Sequence, residues 1–312
     1  MLTKNTNLGY CCINTTLQKD KKNRITTNRG MIKRTFKDRG IKYASELALL
    51  NVRDLVEIIK WNYKNNIKVY RMSSDIIPWM SEYELKDLPD YKKISIILSG
   101  AGQLAKKYGQ RVGYHPGHFN VLASLNPGVV TKTIKELNQH GEVMDLMGLP
   151  RTPYAAINIH VNTTQGGKEA AAARFCANFQ LLDDSVKSRL VIENDDKEKQ
   201  YTTEDLHKLI YSNIGTPITF DFHHHWCHPG SLTQREALGL ASTTWRDVKQ
   251  LTHFSSCKTI HEDATQTNKR AHADYIWDEI NDHGFSLDIE LEAKAKELAV
   301  ERYLKQYIFE LV

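Results

Sequence analysis

The amino-acid sequence alternates short runs of β-forming residues with longer segments of helical periodicity, and this pair recurs eight times. Because parallel strands are joined by helical crossovers, eight pairs in 312 residues predict an α/β fold, a (β/α)8 TIM barrel formed as one domain over residues 1–312. The predicted strands are residues 8–13, 67–72, 111–115, 155–161, 189–193, 217–222, 257–261 and 285–290. The predicted helices are residues 44–65, 93–108, 128–147, 168–183, 203–214, 233–251, 268–281 and 292–309.

An open, doubly wound sheet is the competing fold, and it should carry a glycine-rich phosphate turn after its first strand. The sequence there reads Gly9-Tyr10-Cys11-Cys12, which is no such turn. The stretch at residues 166–168, Gly-Gly-Lys, lacks the first glycine of a phosphate-binding loop and has Glu169 where Ser or Thr is required. We therefore expect the barrel, and we expect no nucleotide cofactor.

Composition limits the compartments in which such a chain would work. The mean hydropathy is −0.49, and no window approaches the roughly 18 apolar residues of a membrane helix. Residues 1–9 lack the apolar core and cleavage site of a signal peptide. The five cysteines form no CxxC pair, so neither a disulfide framework nor a thiolate zinc site is expected. These features predict an intracellular protein of a reducing compartment, cytoplasm or nucleus, that is neither secreted nor in a membrane.

Positive charge is concentrated in one segment, residues 19–42. It carries ten basic and two acidic residues, although the whole chain has a net charge of only +5. A basic block of this kind is typical of a surface that follows phosphates, because neutralising them releases condensed counterions. It is equally typical of a solvated, partly mobile loop.

Polar residues follow the apolar run of six consecutive predicted strands. In a barrel these positions meet at the one face where active sites are built. A single histidine after a strand is usually structural, but so many buried charges are costly unless metal ions or partners compensate them. The residues are His115, His118, His160, Glu193, Asp221, His223, His224, His225, His261, Glu290 and Glu292.

The donor types among these residues predict the cofactor. Imidazole and carboxylate ligands without thiolate suit manganese, zinc or iron. Four or more histidines and three carboxylates exceed the needs of one ion, so we expect two or three ions, with Glu193 as the bridging ligand. Divalent ions clustered about 3.5–4 Å apart are a device for phosphoryl transfer. Together with the basic segment, they predict a metal-dependent nuclease on a barrel scaffold.

Longer motifs make the chain similar to a known family. From about residue 8 to residue 300 it resembles the UV damage endonucleases, barrel enzymes related in fold to abasic-site nucleases of the endonuclease IV type. The motifs are residues 8–10 (Leu-Gly-Tyr), 71–75 (Arg-Met-Ser-Ser-Asp), 115–117 (His-Pro-Gly), 188–195 (Ser-Arg-Leu-Val-Ile-Glu-Asn-Asp), 221–225 (Asp-Phe-His-His-His), 272–276 (His-Ala-Asp-Tyr-Ile) and 288–296 (Asp-Ile-Glu-Leu-Glu-Ala-Lys-Ala-Lys).

The resemblance implies an activity and a cofactor. The enzyme would nick double-stranded DNA immediately 5′ to UV photoproducts (cyclobutane pyrimidine dimers and 6-4 photoproducts), leaving a 3′ hydroxyl and a 5′ phosphate. It would use three divalent ions, usually Mn²⁺, with Zn²⁺, Co²⁺ or Mg²⁺ as alternatives. We expect it to act as a monomer.

The resemblance also implies residue roles. One ion and the catalytic group fall to Glu193, Asp221, His261 and Glu292. The second ion falls to His115 and His160 with Glu193 bridging, and the third to His224 and His272. Supporting positions beside the ligands are His223 and His225, whereas His140, His207, His253 and His283 are assigned to helices or surface without a role.

Lesion recognition needs flat side chains that stack on or wedge between bases. The resemblance implies one pair after the first strand, Tyr10 and Asn14, and another after the third, His118 and Phe119. The second pair departs from the Gln-Tyr expected there. Phe119 can still wedge between bases, while the charge of His118 depends on pH, so the lesion spectrum or pH optimum could differ.

Two further departures concern supporting residues. Glu82 stands where the family tends to carry a histidine near the second strand. The family often has a lysine, sometimes carboxylated, two residues before the histidine of strand seven. With His261 as that histidine, Thr259 stands there and Lys258 precedes it. Strand alternation then points Lys258 away from the side of His261 unless a bulge intervenes.

Three rival functions stay open. An abasic-site endonuclease would share the chemistry and recognise a missing base. A sugar isomerase or another small-molecule metalloenzyme on the same barrel would not need the basic segment. A non-catalytic DNA-binding protein should tolerate Glu193→Gln.

Overall fold

The structure is a computed structural model that describes residues 2–308. Its centre is a closed barrel of eight parallel strands in sequence order, in which β8 pairs with β1. The strands are β1 (Asn7–Cys11), β2 (Val69–Met72), β3 (Arg111–Tyr114), β4 (Ile157–Ile159), β5 (Leu190–Glu193), β6 (Ile218–Asp221), β7 (Gln250–Phe254) and β8 (Leu287–Leu291). The predicted TIM barrel is therefore confirmed. That residues 1–312 form a single domain stays a prediction.

Helices surround most of the barrel. They are α1 (Thr15–Gln18), α2 (Lys33–Lys64), α3 (Tyr91–Lys107), α4 (Pro127–Leu146), α5 (Lys168–Phe179), α6 (Asp184–Lys187), α7 (Thr203–Leu206), α8 (Ser212–Ile214), α9 (Phe222–Cys227), α10 (Gln234–Thr243), α11 (Lys258–His261) and α12 (Glu297–Ile308). Local chemistry fixes their starts: Thr202 and Thr233 each form a capping box, and Asn126 caps α4 just before Pro127. Residue 309, where the last helix was predicted to end, lies outside the described residues.

The predicted strand at residues 257–261 is wrong, because that segment forms the short helix α11. The seventh strand lies earlier, at Gln250–Phe254, within and just beyond the end of the helix predicted over residues 233–251. Helix α10 stops at Thr243, and a turn and a bend lead into β7. Because β7 is buried at every position, its residues show no polar alternation that would separate it from a helix in sequence.

The predicted helix at residues 268–281 is also wrong, because no helix forms there. Side chains take the place of helical hydrogen bonds along this connection. The Ser256 hydroxyl accepts from the backbone of Trp277 and Asp278, and the Glu262 carboxylate accepts from the backbone of Asp274 and Tyr275. Between β7 and β8, α11 is thus the one helix within residues 255–286, so this sector of the barrel lacks a covering helix.

The barrel interior divides into a packed end and a polar end. Val69, Ala156, Val191 and Leu251 pack together inside the strands. At the amino end, the buried guanidinium of Arg111 donates to three backbone carbonyls and to Asp288, which closes the barrel. The carboxyl end is therefore the open, polar end. Within the described chain, no helix combines the length and hydropathy needed to cross a bilayer.

Candidate metal centre

The polar end of the barrel is organised around Glu193, the last residue of β5, whose side chain is fully buried. Its Oε2 lies 2.9 Å from Nε2 of His115 and 3.5 Å from Nε2 of His160. Its Oε1 lies 3.2 Å from Nδ1 of His224 and 3.1 Å from Nδ1 of His253. Four imidazoles, carried at or just after β3, β4, β6 and β7, therefore surround one carboxylate.

Two groups of donor atoms are close enough to hold a cation each. One consists of His115, Glu193 and His253, and the other of His160, Glu193 and His224; within each group the donor atoms lie within 4.8 Å of one another. Glu193 belongs to both groups. It therefore stands where a carboxylate that bridges two ions would stand, and its bridging role stays a prediction.

A second layer of acids completes the cup. Glu292, just after β8, has Oε1 3.5 Å from Nδ1 of His253 and Oε2 3.7 Å from Nδ1 of His272. Asp221, at the end of β6, lies 4.0 Å from Nδ1 of His224. Arg71 of β2 donates to Glu292 at 2.5 Å. Seven of the eight predicted ligands thus converge: His115, His160, Glu193, Asp221, His224, His272 and Glu292.

The charges of the cup depend on one another. Burial raises the pKa of Glu193, but the imidazoles of His253 and His160 outweigh this effect and hold that pKa well below its usual range. Burial lowers the pKa of His253 and of His224, yet the neighbouring carboxylates raise both well above the ordinary value. The carboxylate is therefore ionised at neutral pH, and the carboxylates favour protons on His253 and His224, whereas burial lowers the pKa of His115.

The donor set fits divalent cations. Buried Oε1 of Glu193, Oδ2 of Asp221 and Nδ1 of His253 make no aligned hydrogen bond within the described chain, although other donor atoms lie close by. Buried polar atoms without an aligned hydrogen bond cost free energy unless a nearby cation compensates them. Imidazole nitrogens and carboxylate oxygens without thiolate suit Mn²⁺ or Zn²⁺. His115, His160, Glu193, His224 and His253 are the residues that could hold them.

His253 is the ligand candidate that the sequence prediction missed. It lies inside β7 with its side chain fully buried, and its Nε2 is 3.1 Å from Oε2 of Glu290. His261, predicted in its place, lies outside the cup on α11, with its Nε2 3.0 Å from Oδ1 of Asp278. The two assignments exchange because the seventh strand lies at Gln250–Phe254 and not at residues 257–261.

The corrected strand also moves the position of the family lysine. Two residues before His253 stands Leu251, which packs in the apolar layer of the barrel. Lys258 lies outside the cup, with Nζ 3.0 Å from Oδ1 of Asp274. Glu82 is likewise outside the cup, at the surface and 3.5 Å from Nζ of Lys132. Neither Lys258 nor Glu82 therefore supports a ligand.

The two histidines beside His224 point to different surroundings. The ring of His223 lies 5.5 Å from the ring of His272, next to the cup. The ring of His225 packs 5.2 Å from that of Phe220 instead. His223 is in a position to support the ligands, and His225 is not.

Tyr10 and Asn14 are fully buried, contrary to their predicted contact with a lesion. The Tyr10 hydroxyl donates to Asn62 at 2.8 Å and accepts from Asn14 at 3.0 Å. The Asn14 side chain also caps α1 through the backbone N–H of Leu17. A base cannot stack on either side chain while these contacts hold, so their role here is to fix the loop after β1.

His118 and Phe119 lie on the loop after β3 and are open to solvent. The Phe119 side chain is 78% exposed, and its ring lies 4.0 Å from that of His118. An exposed aromatic ring in this position is free to stack on a nucleobase. Residues 19–24, at the start of the basic segment, are exposed on the connection between β1 and α2. Both features lie on the side of the barrel that carries the cup.

Comparison with known proteins agrees with this geometry. The family described as "UV-endonuclease UvdE" matches residues 6–311. The "UV-damage endonuclease" of Schizosaccharomyces pombe is 33% identical over 314 residues, which cover 96% of this chain and 50% of the relative. The chain thus spans about half the length of that protein. The "UV DNA damage endonuclease" of Bacillus cereus is 30% identical over 274 residues, which cover 82% of this chain and 80% of the relative.

Solved structures show the same relationship. The crystal structure of SacUVDE matches with a TM-score of 0.82 and 28% identity, covering 98% of this chain and 99% of that one. Endonuclease IV from Thermus thermophilus matches with a TM-score of 0.53 and 11% identity, covering 81% of this chain and 94% of that one, which is a likeness of fold alone. The chain belongs to the UV-endonuclease UvdE family.

Proposed function

We propose that this chain is a metal-dependent endodeoxyribonuclease that nicks DNA immediately 5′ to UV photoproducts, leaving a 3′ hydroxyl and a 5′ phosphate. The photoproducts are cyclobutane pyrimidine dimers and 6-4 photoproducts. The observation that carries the proposal is the buried carboxylate of Glu193, shared by two groups of imidazole donors at the open end of the barrel. Family membership supports it, as do relatives named for UV-damaged DNA.

The proposed ligands are the residues of the cup, in which His253 replaces His261 of the sequence prediction. They are His115, His160, Glu193, Asp221, His224, His253, His272 and Glu292. Two or three divalent ions, Mn²⁺ in preference to Zn²⁺, Co²⁺ or Mg²⁺, would supply hydroxide at neutral pH and offset the charge of the attacked phosphate. Glu193 keeps its negative charge in this environment, and Arg71 holds Glu292 in place.

Other parts of the same face would bind the DNA. The exposed ring of Phe119 is free to enter the base stack at a weakened step, where a photodimer has already disturbed pairing. The exposed lysines and arginines of residues 19–24 would contact phosphates of the duplex. We propose a monomer acting on double-stranded DNA without a nucleotide cofactor.

The test is incision of three matched duplexes that carry one defined photodimer, one abasic site or no damage. Each is incubated with Mn²⁺, with Mg²⁺ or with chelator, and the ends are identified by size and by ligation. We expect a single nick 5′ to the photodimer with Mn²⁺ and none with chelator. Cutting of the abasic duplex alone would replace the proposal with an abasic-site endonuclease, and full cutting with chelator would remove metal from it.

A further inference from the structure

A cavity opens beside the metal cup, at the carboxyl ends of β6 and β7. It has a volume of about 290 Å³. Phe222 and Phe254 line it, and so do Trp226 and Ile260, which remain 47% and 60% exposed. The cavity exists because the connection after β7 supplies only the four-residue helix α11 within residues 255–286. A longer helix would otherwise cover this sector, as in an ordinary barrel.

Aromatic rings join the cavity to the metal cup. The Trp226 ring is stacked on that of His223, with ring centres 5.6 Å apart and planes 16° apart. His223 in turn lies 5.5 Å from the ring of His272, and Nδ1 of His272 is 3.7 Å from Glu292. A DNA strand bound at the cup would therefore pass close to the mouth of the cavity.

The outer wall of the cavity is held rigidly. The Ser256 hydroxyl accepts hydrogen bonds from the backbone N–H groups of Trp277 and Asp278, at 2.9 and 3.1 Å. The Glu262 carboxylate accepts from the Trp277 indole at 2.7 Å. His261 bridges the same wall, since it contacts Asp278 and its ring lies parallel to that of Trp277. The cavity is therefore formed before any ligand arrives.

The lining selects the class of ligand. The carboxylate of Asp278, which contacts His261, stands at one edge and disfavours a phosphate there. Flat, partly exposed rings favour a flat ring system, and carboxylate and amide groups can accept hydrogen bonds from exocyclic amino groups of bases. The volume lies near the lower end of the range for small-molecule sites, roughly 300 Å³. These features fit a single nucleobase.

We propose that this cavity binds one nucleobase of the DNA strand whose backbone lies at the metal cup. The inference rests on the proposed function, since it takes DNA as the substrate. In the closed barrel, β7 is four strands away from β3, so the cavity lies across the cup from Phe119. The base bound here would belong to the opposite flank of the cut from the base next to Phe119. Two grips, one on each side, would hold the strand across the cup.

The experiment is a cycle between a protein change and a DNA change. Single abasic residues are placed at each of six nucleotides around the expected nick, and the affinity of the protein for each duplex is measured by fluorescence anisotropy with Ca²⁺. One abasic position should weaken wild-type binding by between about 5-fold and 150-fold, the effect of losing one stacked base. Trp226→Ala should weaken binding of the intact duplex equally, and combining the two changes should cost nothing more.

Matched variants separate the site from general damage. Trp226→Phe should retain most of the affinity, because it keeps a flat ring. Tyr63→Ala removes an equally exposed ring from the last turn of α2, at the far end of the barrel, and should leave DNA binding unchanged. Unfolding of each variant in urea shows that it folds.

The outcomes distinguish the two proposals. The base-binding cavity is overturned if Trp226→Ala keeps wild-type affinity, or if its loss of affinity multiplies with the loss at every abasic position. Photodimer incision by the wild-type protein would still uphold the proposed function. A wild-type protein that binds duplex DNA with the predicted cycle but fails to cut the photodimer would overturn the proposed function alone. Absence of any duplex binding by the wild-type protein would overturn both.

Discussion

Glu193 concentrates the chemistry of the cup in one side chain. A fully buried carboxylate is costly unless it is compensated, and here four imidazoles lie within 3.5 Å of its oxygens. The imidazoles keep its pKa well below the ordinary value despite burial. Replacing the carboxylate by an amide would remove the charge and keep the shape.

We therefore expect Glu193→Gln to abolish nicking of a photodimer duplex while leaving affinity for that duplex within about tenfold of wild type, since phosphate contacts dominate DNA affinity. Single-turnover incision and anisotropy measure the two quantities. Glu57→Gln, an exposed glutamate on α2, is the control and should behave as wild type. Full nicking by Glu193→Gln would remove this residue from the mechanism.

Variants of His253 and His261 test which of the two histidines is a metal ligand, the one favoured by the structure or the one predicted from the sequence. His253→Ala removes a buried imidazole that contacts Glu193 and Glu290, and should lower Mn²⁺ affinity by at least about 100-fold. His261→Ala removes a surface contact with Asp278, and should leave Mn²⁺ affinity within about twofold. Calorimetric titration of the apoprotein measures both. The reverse ranking would make His261 the metal ligand in place of His253.

At the scale of elements, the parts of the cup that the sequence predicted share one property. Glu193 and Asp221 each end a short apolar run of β-forming residues, and parallel pairing then brings the ends of β5 and β6 side by side. His115 and His160 follow their strands in the same way. The alternation and the polar strand ends were therefore sufficient to predict five of the six strands from β3 to β8, all except β7.

The prediction of the seventh strand was wrong for a physical reason. The segment Gln-Leu-Thr-His-Phe at 250–254 is buried on both faces, so Gln250, Thr252 and His253 give no alternating pattern that marks it as a strand. Residues 257–261 offered a more typical strand end, because His261 follows Ile260. Only the pairing of β7 with β6 and β8 over long sequence separations selects the correct segment. Burial of Tyr10 was equally invisible, because its partner Asn62 lies 52 residues away.

Glu297 connects the last helix to the first. Its side chain is fully buried, and its carboxylate accepts from the backbone N–H groups of Thr15 and Thr16, at 2.8 and 2.6 Å, and from the Thr16 hydroxyl at 2.9 Å. Helix α1 thus receives at its start a negative charge from α12, in addition to the cap by Asn14. Asn14 and Glu297 together therefore hold the loop after β1 in place.

Glu297→Ala would leave three donors without their acceptor in a buried place, and we expect the free energy of unfolding to fall by about 3 kcal/mol. Glu301→Ala, one turn later on the same helix and partly exposed, should change it by no more than about 0.5 kcal/mol. Urea unfolding followed by circular dichroism compares them. Equal effects of the two changes would show that the contacts of Glu297 contribute nothing specific.

At the scale of the whole molecule, the fold separates two kinds of charge. The acids and imidazoles meet inside the carboxyl end of the barrel, while the basic residues of 19–24 are exposed on the connection from β1 to α2 at the same end. The opposite end is closed by Arg111 and Asp288. A polyanion that approaches the cup therefore meets the positive charges of residues 19–24. These charges lie beside imidazoles and carboxylates that are suited to bind cations.

This arrangement predicts that DNA binding depends on salt through one face of the barrel. Lys21→Ala/Lys22→Ala should weaken binding to any duplex and lower the slope of log affinity against log salt by about 0.9 for each phosphate that the protein no longer neutralises. Lys106→Ala/Lys107→Ala is the matched control. These two exposed lysines are the last residues of α3, after which the chain enters β3 at the closed end of the barrel. It should leave both affinity and slope unchanged. Affinity and slope are measured by anisotropy between 50 and 200 mM salt, roughly the range over which phosphate contacts dominate. Identical slopes for the two double variants would show that residues 19–24 form a solvated loop and do not contact phosphates.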